Sequence, residues 1–167
     1  MAQIILYLGG ARSGKSRLAE ARTLQLGAPA AYIATAEAHD TEMAERIADH
    51  QARRGPDWRT HPAPMDLTGA LDATDGQPRL VDCLTLWLSN QMLAEQDCEA
   101  ALDTLSDCLA RQQSPVVLVS NEVGLGIVPD TPLGRRFRDA AGRVNQRIAS
   151  VADEVHFIAA GLSLRMK

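Results

Sequence analysis

Residues 9–16 read Gly9-Gly10-Ala11-Arg12-Ser13-Gly14-Lys15-Ser16 and fit G-x-x-x-x-G-K-[ST] at every position. The apolar run Ile4–Leu8 stands directly before them, and the helix-forming stretch Arg17–Ala21 directly after. That strand–loop–helix setting is what a phosphate-binding loop requires. Glycines let the backbone curl so that successive N–H groups point inward, and the helix N-terminus adds partial positive charge. In such a loop Lys15 reaches the β- and γ-phosphates, while the Ser16 hydroxyl ligates Mg²⁺. Of the 17 lysines and arginines, only Lys15 and the terminal Lys167 are lysine. A chain that otherwise writes positive charge as arginine has placed a compact ammonium in the loop. The motif predicts a nucleoside triphosphate site.

A second group of residues is expected around it. Asp82 ends an apolar run and is the preferred acid for Mg²⁺ opposite Ser16. Glu122 is its rival, as metal acid or as activating base, and either carboxylate also suits a helix cap. Over a helix predicted from Thr41 to about Arg54, Glu42, Arg46 and His50 fall one turn apart, followed by Arg53 and Arg54. Arginine forks suit phosphate oxygens and a neutral imidazole is a competent nucleophile towards phosphorus. These residues alone leave that reading open beside a plain solvated helix face. His156 falls in a predicted strand, and His39 and His61 in predicted loops. Asn121–Pro129 forms a glycine-punctuated segment leading into the arginine-rich helix Leu133–Ala152, which suits a phosphorylated or nucleotide ligand, acids at a subunit interface, or solvent.

The elements that must hold these side chains follow from alternation. Short apolar runs at Gln3–Leu8, Ala30–Ala34, Arg79–Asp82, Val116–Ser120 and Val155–Ala159 alternate with amphipathic stretches at Gly14–Leu26, Thr41–Arg54, Leu84–Glu95, Cys98–Arg111 and Leu133–Ala152. Leu67–Ala73 reads as a short helix, and Gly55–Pro78 is otherwise the least regular region. The alternation predicts an α/β fold with a mostly parallel sheet, covered on both faces. Ligands of such sheets sit at the carboxyl ends of the strands, here Gly9–Ser16, Thr35-Ala36-Glu37, Asp82-Cys83, Asn121–Gly124 and Ala160-Gly161.

At 167 residues one domain spanning 1–167 is expected. A formal charge of −4 provides no electrostatic footprint for nucleic acid. No apolar run reaches membrane-spanning length, and the N-terminus shows no signal-peptide pattern. The odd set Cys83, Cys98 and Cys108 forms neither a disulfide framework nor, with the histidines, a zinc spacing. Cytoplasmic residence is the expectation, with Cys83 a buried structural thiol.

Several blocks together resemble the bifunctional adenosylcobinamide kinase/adenosylcobinamide-phosphate guanylyltransferase family of cobalamin biosynthesis. They are the loop at 9–16, Tyr32-Ile33-Ala34-Thr35-Ala36, Glu42-Met43 and Arg46-Ile47 leading to His50, and Trp58-Arg59-Thr60. Val81–Thr85, Ser120–Pro129 and Phe137-Arg138 through Gly142–Gln146 complete the match. The resemblance implies a P-loop NTPase-like three-layer fold and two reactions. ATP or GTP phosphorylates adenosylcobinamide; GTP then gives GMP to a histidine, which passes it on to form adenosylcobinamide-GDP. It implies His50 as that histidine, GTP contacts at Ala34, Thr35, Ala36, Gln51, Ala52, Arg53, Arg54 and position 62, and Asp82 as the acid after the third expected strand. It further implies a homotrimer acting on a small-molecule corrinoid. Position 62 departs from the family: a glutamate is usual there, and this chain has Pro62.

Overall fold

The computed structural model describes residues 1–38, 41, 44–45, 47–48, 52 and 54–167. The elements, in chain order, are β1 (Ile4–Gly9), α1 (Lys15–Leu26), β2 (Ala30–Ala34), β3 (Trp58–Pro62), α2 (Leu67–Ala73), β4 (Arg79–Asp82), α3 (Leu84–Leu93), α4 (Cys98–Arg111), β5 (Val116–Asn121), α5 (Pro132–Val151), β6 (Glu154–Ala159) and β7 (Leu162–Arg165). All seven strands join one sheet in the order β3-β2-β4-β5-β1-β6-β7. Every pairing is parallel except that of β6 with β7.

The central strands are apolar along their length because both faces are covered. Ile4, Leu6, Ile33, Val81 and Leu118 point to one side, where they meet Leu67, Leu71, Leu84, Leu88, Leu105, Leu109, Val144 and Ile148 of α2–α5. Ile5, Tyr7, Tyr32, Leu80, Val117 and Val119 point to the other, against Ala19 of α1. This period-of-two division builds the three layers. Local signals set the helix starts: Asp97 accepts from the backbone N–H groups of Glu99 and Ala100, and Thr131 from Gly134 with Pro132 following.

Two strands differ from the sequence expectation. The edge strand β3, Trp58-Arg59-Thr60-His61-Pro62, lies in the stretch read as irregular, so His61 is in a strand and not a loop. Its exposed residues and closing proline hide it, because an edge strand buries less and tolerates a missing donor. β7 is exposed at all four positions, and its antiparallel return on β6 has no apolar signature. The other ends move by one or two residues: β1 begins at Ile4, β5 extends to Asn121, β6 begins at Glu154, α3 stops at Leu93 and α5 runs Pro132–Val151. In the expected helix 41–54, Thr41, Ala44, Glu45, Ile47, Ala48 and Ala52 are helical, whereas Arg54 is in a bend. His39, Glu42, Met43, Arg46, His50, Gln51 and Arg53 lie outside the described residues.

The end of the sheet remote from the loop rests on a buried cation. Arg79 is 0% exposed; its Nη1 donates to Leu71 O (3.0 Å) and Gln112 Oε1 (2.8 Å), and pairs with Asp75 Oδ1 at 3.1 Å. Removing one member of a buried ionic network leaves the others unsatisfied, at a cost of about 3–5 kcal/mol. Arg79→Ala is therefore expected to lower the free energy of unfolding in urea by about 3–5 kcal/mol, read as a lower midpoint at unchanged slope. Nucleotide affinity of the still-folded fraction is expected to be retained, because Arg79 begins β4 and the loop faces its other end. An unchanged midpoint would remove Arg79 from the account of stability.

Candidate active site

Residues 9–16 form a tight turn between β1 and α1 whose shape only glycine permits at two points. A Cβ on Gly9 would lie 2.5 Å from the Ile158 carbonyl oxygen and 2.7 Å from Ser13 Oγ. Gly14 adopts φ +96°, and its α-carbon faces Gly161 so closely that a Cβ would sit 3.2 Å from Gly161 Cα. Arg12 shares the left-handed region at φ 55°. The turn is fastened from outside: Gly161 N–H donates to Ser13 O (2.8 Å), and Glu122 N–H donates to Gly9 O (3.0 Å). Three strand ends, those of β1, β5 and β6, thereby share one backbone scaffold.

Lys15 opens α1, is 8% exposed, and its Nζ donates to Gly10 O at 3.0 Å. Burial draws its ammonium below the ordinary lysine range, and the nearby Cys83 sulfur and Asp82 carboxylate oppose that pull. The lysine and the acid ending β4 are thus within electrostatic reach of each other. Ser16 follows Lys15 on the first turn of α1 and is half-buried.

Asp82 is in turn held from β2. The strands run in register with Ala34 opposite Asp82, so Tyr32 lies two residues upstream on the same face. Its hydroxyl donates to Asp82 Oδ2 at 2.8 Å. Next to them, Thr35 is fully buried; its Oγ1 donates to Cys83 O (2.7 Å) and accepts from Cys83 N–H (2.7 Å). Asn90 of α3 donates to Thr35 O (2.9 Å) and Pro64 O (3.0 Å), joining the ends of β2 and β3. Cys83 itself is buried, its thiol pushed up to about 11 by desolvation, which suits a structural role.

Glu122, the rival acid, curls back on its own loop: its Oε1 accepts from Gly124 N–H at 2.6 Å. The end of β5 is pinned by a polar chain that sequence reasoning missed. Asn121 N–H donates to Thr85 Oγ1 (2.7 Å), Ser120 Oγ donates to Asn145 Oδ1 (2.6 Å), and Asn145 Nδ2 donates to Asn121 O (3.2 Å). These are contacts between β5, α3 and α5, and no local spacing in the chain announces them. Beyond them Leu125, Ile127 and Val128 are exposed on the segment that follows β5.

Of the expected GTP contacts, Ala34, Thr35 and Ala36 run off the end of β2 beside Asp82, and Pro62 ends the neighbouring β3 opposite Ala34. Ala52 is helical and exposed. Arg54 stacks on Tyr32, its guanidinium carbon 3.5 Å from the ring centroid. Its Nε and Nη1, and the Ser13 hydroxyl, are buried without a hydrogen-bond partner among the described residues. Donors of this kind fit phosphate oxygens. Ser16 and Asp82 are hard oxygen ligands of the sort Mg²⁺ uses alongside nucleotide phosphates and water, so the residues fit that ion.

The model of the family described as "Cobinamide kinase / cobinamide phosphate guanyltransferase" matches residues 5–166. A bifunctional adenosylcobalamin biosynthesis protein CobP of Pseudomonas aeruginosa is 48% identical over 166 residues, covering 97% of this chain and 96% of the relative. The CobU proteins of Salmonella typhimurium and Escherichia coli, similarly described, are 43% and 38% identical, each covering 98% of this chain and 99% of the relative. Among solved structures, the RadB recombinase aligns with TM-score 0.53 at 16% identity, over 93% of this chain and 73% of that one. The type III secretion ATPase EscN aligns with TM-score 0.53 at 12% identity, over 98% and 48%. At such identities the two structures establish a shared P-loop NTPase fold. Among the described residues, no helix is long and apolar enough to cross a membrane.

Proposed function

The chain belongs to the cobinamide kinase/cobinamide phosphate guanyltransferase family and is a transferase of cobalamin biosynthesis, and on that premise we propose the following chemistry. In the first reaction the hydroxyl of adenosylcobinamide attacks the γ-phosphorus of ATP or GTP. The γ-phosphorus–oxygen bridge breaks, and the nucleoside diphosphate leaves. In the second, an imidazole nitrogen of His50 attacks the α-phosphorus of GTP, the bond to the β-phosphate oxygen breaks, and pyrophosphate departs. A phosphate oxygen of adenosylcobinamide phosphate then attacks the GMP phosphorus, breaking the phosphorus–nitrogen bond and restoring the imidazole. The product is adenosylcobinamide-GDP.

The observation that carries this reading is the convergence of Lys15, Asp82 and the closed 9–16 turn at one end of the sheet. Backbone N–H groups of the turn and the Lys15 ammonium hold the β- and γ-phosphates, so negative charge building on either leaving group meets fixed positive charge. Ser16 and Asp82 would hold Mg²⁺, which when bound would supply further charge neutralisation at the phosphates. Ala34–Ala36 and the 51–54 stretch border the nucleotide; Arg54 presents donors that have no partner among the described residues. Pro62, standing where relatives are expected to carry glutamate, withdraws a carboxylate from the nucleotide's surroundings. A trimer of this cytoplasmic, single-domain chain completes the reading.

Labelled GTP tests it. Incubation with GTP carrying label at the α-phosphate is expected to leave label on the protein, labile in acid and stable in alkali, as a phosphorus–nitrogen bond requires. Label at the γ-phosphate is expected on the phosphorylated corrinoid and in the released pyrophosphate, and not on the protein. Absence of protein-bound α-label, with corrinoid phosphorylation intact, would reduce the protein to a kinase.

A further inference from the structure

Tyr32 is 5% exposed and sits in the small core on the α1 side of the sheet, where a phenylalanine would pack equally well. Its surroundings use more than its bulk. The hydroxyl donates to Asp82 Oδ2 at 2.8 Å, one ring face carries the Arg54 guanidinium at 3.5 Å, and Trp58 meets the ring edge-on at 5.7 Å. Burial and the adjoining carboxylate both raise the phenol far above its ordinary value, so the hydroxyl keeps the proton that it donates to Asp82.

The Arg54 contact has a particular consequence. Stacking engages the face of a guanidinium and leaves its N–H donors, which lie in the plane, available. Nε and Nη1 are buried and bonded to nothing among the described residues. No described carboxylate pairs with this arginine, so the ring holds the cation in place without using up its fork. Asp82 shows the complementary arrangement: one oxygen is fixed by Tyr32, and the acid faces Lys15. One side chain thus touches both the acid at the phosphate end of β4 and the arginine four residues after His50 in the chain.

We infer that Tyr32 is a positioning residue with two separable tasks: its hydroxyl aims Asp82 for the metal-bound nucleotide used in both reactions, and its ring face holds Arg54 ready for the GTP that is attacked by His50. The inference rests on the two-reaction reading above. It makes the tyrosine a determinant of the balance between the two activities without contact to either reacting phosphorus.

Three variants separate the tasks. Tyr32→Phe keeps the ring face and deletes the donor. Calorimetric titration of a non-hydrolysable GTP analogue at graded Mg²⁺ is expected to show the Mg²⁺ needed for half-maximal binding rising roughly tenfold, the scale of losing a hydrogen bond to a charged group. The ratio of protein-bound GMP formation to corrinoid phosphorylation is expected to stay at the parent value. Tyr32→Leu removes the ring as well, and that ratio is then expected to fall roughly tenfold. Arg54→Lys keeps charge but loses the fork; it is expected to lower the same ratio with the Mg²⁺ midpoint of the parent.

An unshifted Mg²⁺ midpoint in Tyr32→Phe overturns the first task. A parental ratio in both Tyr32→Leu and Arg54→Lys overturns the second. Equal loss of both reactions in Tyr32→Leu, with a lowered melting temperature and a parental ratio in Arg54→Lys, makes Tyr32 a packing residue and overturns the second task. A parent protein that takes no α-label sinks the two-reaction reading and the second task with it, whereas the Mg²⁺ titration still decides the first.

Discussion

Replacing His50 with alanine is expected to abolish GMP transfer while corrinoid phosphorylation persists. The two reactions place different demands on the site. Phosphorylation consists of positioning a hydroxyl and neutralising charge on a loose transition state, and needs no covalent bond to the protein. GMP transfer by way of a histidine divides a difficult displacement into two steps and lets pyrophosphate leave before the bulky corrinoid phosphate must enter. On the proposed route alanine removes the imidazole that would carry GMP, and deletion of a covalent nucleophile costs at least roughly 10³-fold in rate. The measurement pairs α-label retained on the protein with γ-label transferred to the corrinoid, for parent and variant at equal nucleotide saturation. Retained α-label in His50→Ala would move the nucleophile to another residue. Loss of both labels with an unchanged circular-dichroism spectrum would make His50 part of the phosphate site shared by both reactions. His50 lies outside the described residues, and its reading rests on its place in the sequence block; the structure contributes Arg54, stacked on Tyr32 beside Asp82.

Legibility in the sequence follows how local each constraint is. β1, β2 and β5 stand out because burial on both faces makes them short apolar runs, and β4 and β6 through shorter apolar stretches, Leu80-Val81 and Phe157-Ile158-Ala159. Leu67–Ala73 was visible through helical spacing, and Asp66 caps it through Gly69 N–H at 2.8 Å. β3 and β7 were hidden because edge strands with exposed faces resemble loops in composition. In the site, the 9–16 turn was readable since eight contiguous residues meet one demand, the curling of a backbone around phosphates. The pairing of Tyr32 with Asp82, of Thr35 with Cys83, and of Asn145 with the end of β5 was not readable. Each depends on how strands and helices are arranged in the fold, which places residues 24 to 50 positions apart side by side. Strand order also bears on the preferred acid, Asp82, and its rival Glu122. β5 lies between β1 and β4; Asp82 ends β4 and is held by Tyr32 from β2, whereas Glu122 follows β5 and bonds back to its own loop.

Lys15→Met is expected to depress both reactions, by about 10²–10³-fold in kcat. The shared loss follows from where charge accumulates. Attack at the γ-phosphorus drives charge onto the β-phosphate of the departing diphosphate, and attack at the α-phosphorus drives it onto the departing pyrophosphate. A lysine reaching the β- and γ-phosphates meets both leaving groups. The variant should fold at least as well as the parent, because Lys15 is 8% exposed and burial already works against its charge. Methionine is an unbranched side chain of similar length, so it removes a desolvated cation without opening a cavity. An unchanged or raised melting temperature together with collapsed turnover therefore separates catalysis from folding. Lys15→Arg is expected to fail as well, because the planar fork is too large for a turn in which Nζ lies 3.0 Å from Gly10 O. If Lys15→Met lost only phosphorylation and kept full GMP transfer, the two reactions would not share this phosphate cradle, and the guanosine triphosphate attacked by His50 would have to be held elsewhere.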